Sequence, residues 1–334
     1  MLRRSRREMR LTHKIAPLAP LLLLAAGLAG CGTSATGSGT GTFDRELTVT
    51  GPVVLEVMNG SGEVQINPGA SGSVRVHGEF HLRTMPWENV QQRSAEITQH
   101  PPIKQEGNLI RIGQGKQSWG NLTVSYTITV PAETELRGTM GSGDLLVRGI
   151  HGTVRVTAGS GNVTADQIGE DTQVTAGSGD VRLRDIQGEV QVTTGSGDVQ
   201  LSDVHGEIRV HTGSGDITIE RPSNAIAAGA GSGDVILRGI FGDARVKTGS
   251  GDVTVDGDPA GTSYWEFHTG SGEVGIHVPS SSSFRFYART SSGKIAAAIP
   301  MVVEQQLKHE LHAHVNDGKG RIEIETSSGD ISVN

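Results

Sequence analysis

Apolar and polar residues alternate in short blocks along the middle of the chain, the pattern of half-buried β-strands. The apolar residues of these blocks fall into two columns, two residues apart. The first column holds Leu145, Val163, Val181, Val199, Ile217, Val235 and Val253. The second holds Val147, Ala165, Leu183, Leu201, Ile219, Leu237 and Val255. Because side chains alternate across a strand, each block predicts a strand with one buried and one exposed face.

A second, shorter strand follows each block. Its apolar columns are Val154, Val190 and Ile208 and, two residues further on, Val156, Val174, Val192, Val210 and Val246. A glycine lies between the two strands at Gly152, Gly188, Gly206 and Gly242. Glycine suits a tight bend, so we expect positive φ at these positions. Each unit is therefore strand, corner, strand, corner.

The units repeat at a fixed interval. Gly-Ser-Gly followed by an acidic or amide residue begins at positions 141, 159, 177, 195, 213, 231 and 249, which are 18 residues apart, and related copies begin at 60, 270, 291 and 327. One unit cannot bury its apolar face alone, so the units must stack. We predict an all-β fold, a parallel β-helix or β-solenoid with 18-residue coils, of either hand. An antiparallel sandwich suits so regular an interval poorly.

Two segments interrupt this pattern. Residues 86–99 predict a short helix with Pro86 near its first turn, and two prolines follow it. Strands predicted at residues 109–112 and 122–130 then return the chain to the solenoid. We interpret residues 80–120 as an insertion that caps or widens the first coils. Residues 304–314 replace one expected repeat and predict an irregular coil.

The first 31 residues have the order of a lipoprotein signal peptide. A basic stretch ending at Lys14 precedes an apolar stretch over residues 15–28. Leu28-Ala29-Gly30-Cys31 resembles the bacterial lipobox, which implies that Cys31 is lipidated and anchors the protein. A plain secretory signal with an incidental cysteine is the alternative.

The remaining boundaries follow from composition. Residues 32–46 are rich in glycine, serine and threonine, and we expect a flexible tether there. Residues 47–334 are predicted to form the solenoid domain, with regular repeats over 141–269. No segment after the signal approaches the ~20 apolar residues that span a bilayer. We therefore expect the lipid alone to hold the protein to the membrane.

Composition and charge narrow the classes of protein. The chain of 334 residues has 48 glycines, 4% aromatic residues and 35% hydrophobic residues, which predicts a thin core of small aliphatic side chains. A net charge of −7 argues against a nucleic-acid partner, which needs a basic face. The single cysteine excludes a disulfide within the chain.

An acidic ladder follows the repeated glycines. Its rungs are Asp144, Asp180, Asp198, Asp216, Asp234 and Asp252, with Asn162 in one place. Carboxylates stacked at ~4.8 Å repel each other by about 0.9 kcal/mol in water, so an offset is needed. Weak cation binding, with calcium as the candidate ion, would use Asp180, Asp198, Asp216, Asp234 and Asp252. The alternative is that each aspartate accepts backbone N–H bonds at its corner. Asn162 and a spacing unlike that of calcium-binding rolls favour the structural alternative.

Three histidines, His309, His312 and His314, form the densest cluster. In a strand His312 and His314 share a face, which is compatible with metal ligation. Ala313 stands where a zincin motif needs its second histidine. The sequence favours exposed strand histidines, and we predict no metal or cofactor here.

The repeats, the lipobox and the strand ending in Thr129-Val130-Pro131 resemble the bacterial adhesin-like β-helix domains of unknown function, found in envelope lipoproteins. The resemblance covers about residues 44–334. Residues 288–295 and 325–331 are similar to the closing coils of that family. It implies a β-helix in the cell envelope and carries no catalytic residues.

The sequence contains no Gly-x-Ser-x-Gly elbow, P-loop or dinucleotide fingerprint. Its short, similar corners leave little wall for a catalytic groove. We predict a non-enzymatic, lipid-anchored protein of the outer membrane, periplasm or cell surface. Its repetitive surface would bind an envelope protein or glycan through multivalent contacts, and no nucleic acid. The alternatives are a periplasmic scaffold or sensor partner of envelope-stress machinery, and a polysaccharide-active β-helix enzyme, which a deep groove beside the insertion would support.

Overall fold

The structure is a computed structural model that describes residues 37–84, 89–113, 121–259 and 261–334. The predicted signal peptide and Cys31 lie outside these residues. The described residues form two large sheets, with strands numbered in chain order, and one helix. The fold is all-β, as predicted.

The first sheet has fourteen strands within the described residues. From one edge to the other they are β1 (Gly37–Thr48), β4 (Ser73–Thr84), β7 (Asn121–Pro131), β3 (Val64–Gly69), β9 (Leu145–Ile150), β11 (Val163–Ile168), β13 (Val181–Ile186), β15 (Val199–Val204), β17 (Ile217–Glu220), β19 (Val235–Ile240), β21 (Val253–Gly257), β23 (Val274–His277), β29 (Ile331–Val333) and β25 (Ile295–Ala297).

The second sheet has fifteen strands in the same part of the chain. In order they are β26 (Val302–Leu307), β27 (Glu310–Val315), β24 (Phe284–Thr290), β28 (Gly320–Thr326), β22 (Tyr264–Thr269), β20 (Ala244–Thr248), β18 (Ile226–Ser232), β16 (Ile208–Ser214), β14 (Val190–Ser196), β12 (Thr172–Ala176), β10 (Val154–Ala158), β8 (Thr134–Met140), β2 (Val53–Asn59), β6 (Leu109–Ile112) and β5 (Ile103–Glu106).

Successive units contribute one strand to each sheet, and the strands of neighbouring units are parallel. Val181 is paired with Val163 in the first sheet, and the second sheet pairs Val174 with Val156. Both pairs join residues 18 positions apart. Towards the C-terminus the separation grows, since Phe267 is paired with Val246, 21 residues away. The two sheets form a parallel β-solenoid.

The core lies between the sheets and is built from the predicted apolar columns. In the regular repeats its side chains are small aliphatics, such as Val163, Val181 and Val192, all buried. Burial of apolar surface stabilises the stack by roughly 25 cal/mol per Å². At the C-terminal end the core is wider than composition predicts. There four aromatic side chains are fully buried: Trp265, Phe267, Phe284 and Phe286.

The structure corrects the predicted tether. Residues 37–46 belong to strand β1, which is antiparallel to β4 along its length. A Cβ atom on Gly39 would lie 2.6 Å from Val90 and Ser94 of the helix, and one on Gly41 would lie 2.5 Å from the ring of Phe80. These small residues therefore allow close packing, whereas composition alone suggested a linker. Residues 32–36 of the tether lie outside the described residues.

The predicted helix is shorter than expected. Helix α1 spans Val90–Gln99, and the side chain of Asn89 caps it by accepting a hydrogen bond of 3.1 Å from the backbone N–H of Gln92. At its other end, Arg45 of β1 donates to the carbonyl of Gln99 over 2.8 Å. Pro86 lies outside the described residues. The helix thus covers the N-terminal edge strand β1.

Close stacking accounts for glycine at three of the four predicted corners, whereas a Cβ atom on Gly242 would meet its nearest atom at an ordinary 3.4 Å. Gly152, Gly188, Gly206 and Gly242 do not have positive φ. A Cβ atom on Gly206 would lie 2.3 Å from the carbonyl oxygen of Gly188, so close stacking of the coils excludes a side chain there. Positive φ occurs instead three residues earlier in each repeat. The residues concerned are Gly149, Gln167, Asp185, Asp203, Arg221 and Gly239.

The C-terminal coils do not stack in chain order. Strands β28 and β29 come last in the chain, yet β28 lies between β22 and β24, and β29 lies between β23 and β25. The prediction of an irregular coil for residues 304–314 is wrong. These residues belong to the antiparallel pair β26 and β27, and β27 is in turn antiparallel to β24. Residues 310–315 alternate as a strand of either a hairpin or a coil, and only the pairing distinguishes the two.

Candidate functional site

The acidic ladder is a row of side chain to backbone hydrogen bonds between coils. Oδ1 of Asp198 accepts the backbone N–H of Asp216 at 3.0 Å, and Oδ1 of Asp216 accepts that of Asp234 at 2.8 Å. The bonds of the other rungs have the same form, and they join Asp144 to Asn162, Asn162 to Asp180, Asp180 to Asp198, Asp234 to Asp252 and Asp252 to Glu273. Each rung therefore binds the coil that follows it.

These bonds offset the repulsion between the stacked carboxylates, since hydrogen bonds to ionised acceptors are the stronger kind. Asn162 makes the same bond, to Asp180, at 2.9 Å. The structural alternative therefore accounts for the geometry of the ladder. Among the described residues, no group of three or more His, Cys, Asp or Glu side chains could hold a metal ion. Weak cation binding by the ladder stays a prediction.

Replacing Asp216 by alanine is expected to lower the free energy of unfolding by about 1 kcal/mol, because one bond between coils is lost. Asp216→Asn is the matched control and should change it little, since Asn162 already fills this role. Thermal unfolding with calcium and with a chelator measures both effects. A calcium-dependent rise in the wild-type midpoint that Asp216→Asn abolishes would instead support the cation row.

The histidines lie in the C-terminal hairpin. His312 and His314 share the outer face of β27, as the alternation predicts. Each has its own carboxylate partner: His312 Nε2 lies 2.8 Å from Glu310, and His314 Nδ1 lies 3.0 Å from Glu304. His309 lies in the turn before β27. These separate contacts favour individual hydrogen bonds at the surface over a shared metal.

Sequence reasoning missed a group of flat side chains beside these histidines. Tyr264, Arg321, Tyr287 and His312 follow one another across the outer face of β22, β28, β24 and β27, and we call them the tyrosine patch. The guanidinium carbon of Arg321 lies 5.7 Å from the ring centroid of Tyr264 and 5.2 Å from that of Tyr287. The rings of Tyr287 and His312 are 4.9 Å apart. The contacts are of cation–π and aromatic type.

Carboxylates hold the tyrosine patch in place. Glu323 accepts hydrogen bonds from the hydroxyl of Tyr264 and from Arg321. Burial, with the bond to Glu323, raises the pKa of Tyr264 to about 12, so its hydroxyl stays protonated. Arg245 bonds Glu266 over 2.6 Å and, with His268, lowers the pKa of that carboxyl below its usual range.

Open depressions mark the outer faces in the described part of the chain. One of about 530 Å³ lies on the first sheet around the ion pair of Asp166 and Arg184, and one of about 690 Å³ lies on the second sheet over Ala227 and Gly229. A third, of about 760 Å³, lies beside the first coils and includes Glu135, which pairs with Arg137. The charged side chains named here are engaged in ion pairs. No helix among the described residues is long and apolar enough to cross a membrane.

The fold and its surface define a class: an all-β parallel solenoid with polar outer faces. The protein belongs to the Toastrack DUF4097 family, whose profile matches residues 54–235 and 223–334. This membership confirms the resemblance to adhesin-like domains of unknown function that the repeats indicated. Among curated proteins, none matches the sequence.

Several solved structures are similar to the chain. A candidate adhesin from Bacteroides fragilis is 12% identical, with 88% of this chain and 97% of that chain covered and a TM-score of 0.37. A candidate lipid binding protein from Parabacteroides distasonis is 13% identical, with 88% and 96% covered and a TM-score of 0.41. A candidate cell adhesion protein from Clostridium sporogenes is 14% identical, with 88% and 99% covered and a TM-score of 0.21. TM-scores this low assign no function to the chain.

Proposed function

We propose that this protein is a non-enzymatic, lipid-anchored protein of the cell envelope that uses the outer faces of its solenoid for binding, as an adhesin does. The observation that carries the proposal is the register of its exposed side chains. On the second sheet Thr157, Thr175 and Thr193 are exposed and paired in line. A neighbouring row, also exposed and in register, consists of Arg155, Gln173, Gln191 and Arg209.

Such rows suit a partner that is itself built from repeating units. Each contact in a row is weak, but linked contacts to one polymer or surface raise the overall affinity without any new kind of contact. A glycan or a surface protein of the envelope is a partner of this kind. The membrane anchor belongs to the proposal through Cys31 and its lipobox, which would keep the solenoid close to such partners.

The test is capture from envelope extract by the purified protein, with and without a chelator. We expect a defined glycan or protein to be retained in both conditions. Replacing Thr157, Thr175 and Thr193 together by lysine should abolish capture. The control replaces Gln200 and Thr218 by lysine, which with Arg182 gives three cations in line on the outer face of the first sheet, and it should leave capture intact.

Other outcomes contradict parts of the proposal. If nothing is retained, the binding role is wrong. Capture that survives the threonine changes and fails with the first-sheet control would move the binding face to the other sheet. For the anchor, Cys31→Ser should shift the protein from the membrane fraction to the soluble one, and an unchanged distribution would refute lipidation. Protease digestion of intact cells distinguishes display at the cell surface from a place inside the envelope.

A further inference from the structure

We propose that the tyrosine patch, formed by Tyr264, Arg321, Tyr287 and His312, is a binding site for a neutral saccharide chain. The inference rests on the proposed binding function and adds, to the rows of the regular repeats, a second binding place with its own ligand class. Four observations carry it: where the solvent-facing aromatic residues lie, how their flat groups are spaced, how the charges balance, and a depression of matching size.

The aromatic side chains of this protein are few, and most are in the core. Within the described residues, those that are buried are Phe43, Phe80, Tyr126, Trp265, Phe267, Phe284 and Phe286. Of the three that remain in contact with solvent, Tyr264 and Tyr287 lie together in the patch, and Phe241 lies apart. A tyrosine on an outer face has an apolar ring and a polar hydroxyl, a combination that is frequent in binding surfaces.

The flat groups are arranged across the strands. The steps from Tyr264 to Arg321, to Tyr287 and to His312 measure 5.7, 5.2 and 4.9 Å. They follow the spacing of neighbouring strands, ~4.8 Å, because one residue comes from each of four adjacent strands. Successive rings of a sugar chain have a similar repeat, and the guanidinium of Arg321, which lies over both tyrosine rings, leaves the outward edges of these rings for contact with C–H groups of the sugar. The patch therefore matches a linear chain that crosses the strands.

The charges around the patch nearly cancel. On its four strands the outward arginines are Arg285, Arg289 and Arg321, and the outward glutamates are Glu266, Glu310, Glu323 and Glu325. On the two flanking strands, Arg245 pairs with Glu266, Lys247 is exposed, and Glu304 pairs with His314, so the cations and the carboxylates number five each. The surface thus offers many hydrogen-bond donors and acceptors without a net charge that would select an ionic ligand. Hydroxyl groups, which both donate and accept, fit such a surface.

A depression of about 200 Å³ adjoins the patch, and its lining includes Tyr287, His312, Glu310, Arg289 and Glu325. It is large enough for a single sugar ring. Aromatic walls with a few convergent polar groups are the usual lining of small-molecule sites. One sugar of a chain would occupy the depression, and its neighbours would lie along the flat groups.

Titration calorimetry of the full-length protein in detergent, with maltohexaose, cellohexaose and chitohexaose as probes, tests the proposal. We expect saturable binding of at least one probe. Tyr287→Ala should weaken that binding about tenfold, which corresponds to about 1.4 kcal/mol, because the contact with the aromatic ring is lost. Tyr287→Phe keeps the ring and should bind within about threefold of the wild type, as should the matched control Phe241→Ala, which removes the exposed aromatic ring that lies apart from the patch.

Circular dichroism establishes that each variant is folded. Should Tyr287→Ala not fold, saturation transfer in the wild-type protein serves instead, because the patch predicts magnetisation transfer from tyrosine ring protons to the sugar. The saccharide site is wrong if none of the three probes binds, or if Tyr287→Ala binds as well as the wild type. Tighter binding of polygalacturonate than of the neutral probes overturns the ligand class. Capture from envelope extract separates the two failures: if it persists while the probes fail, the proposed function stands without this site.

Discussion

Replacing Gly161 by alanine is expected to lower the free energy of unfolding by about 3 kcal/mol, because the new methyl group meets backbone that cannot move aside. An added Cβ would lie 2.0 Å from the carbonyl oxygen of Gly143 and 2.6 Å from its carbon. To relieve this contact, the two coils must separate at the corner. That movement strains the adjacent bond between the same two coils, from the N–H of Leu145 to the carbonyl of Asn162, now 2.9 Å long. Urea unfolding followed by far-ultraviolet circular dichroism measures the change.

The control is Gly60→Ala, at the first glycine of the earlier Gly-Ser-Gly copy, whereas Gly161 is the last glycine of its own copy. No atom lies within 4 Å of a Cβ atom built there, and Gly60 does not have positive φ. We expect this change to alter the free energy of unfolding by less than about 0.5 kcal/mol, in either direction. Equal effects of the two substitutions would show that close stacking is not what requires glycine in the motif.

The regular part of the fold could be predicted from the sequence because its physical cause is local. Alternation at Val163 and Ala165 gives the buried face of a strand, and the repeated interval indicates which residues share a column. Val163 is indeed paired with Val181. Parallel stacking follows, since identical units joined by short corners can bury their apolar faces only against each other.

The ends of the solenoid could not be predicted, because the sequence does not say which copy stacks on which. The corner motifs beginning at residues 291 and 327 are alike, so either could follow the coil that contains β22 and β23. The structure places β28 and β29 next to that coil. Large aromatic side chains of β22 and β24, Trp265 and Phe286, are both paired with Ile322 of β28. This packing depends on β22, β24 and β28, which are distant in the sequence, so no local pattern predicts it.

Two further features depend on contacts of the same long-range kind. Gly39 and Gly41 suggested a linker, and only the positions of helix α1 and Phe80 reveal why small residues are needed there. For the tyrosine patch, alternation assigns Tyr264 and Tyr287 to outward faces. It does not make them neighbours of Arg321, because that requires the order of β22, β28 and β24. The acidic ladder could be predicted from the sequence, since its rungs occupy one column of the 18-residue repeat.

Replacing Val333 by aspartate is expected to cost about 3 kcal/mol or more, because a carboxylate would enter the core without a partner. Val333 is 0% exposed and lies opposite Ile276 on one side and Ala297 on the other. If the coils stacked in chain order, this residue would lie near an open edge, and the charge could reach solvent. Urea unfolding again measures the effect.

The same change at Val302 is the matched control. Val302 is 59% exposed and lies in β26, the edge strand of the second sheet. Aspartate there keeps its hydration, so we expect a change below about 0.5 kcal/mol. A charge on an edge strand also opposes pairing with another chain, so Val302→Asp should not increase aggregation. If Val333→Asp were tolerated as well as Val302→Asp, the last strand of the chain would not be an interior strand, and the coil order of the C-terminal end would have to be abandoned.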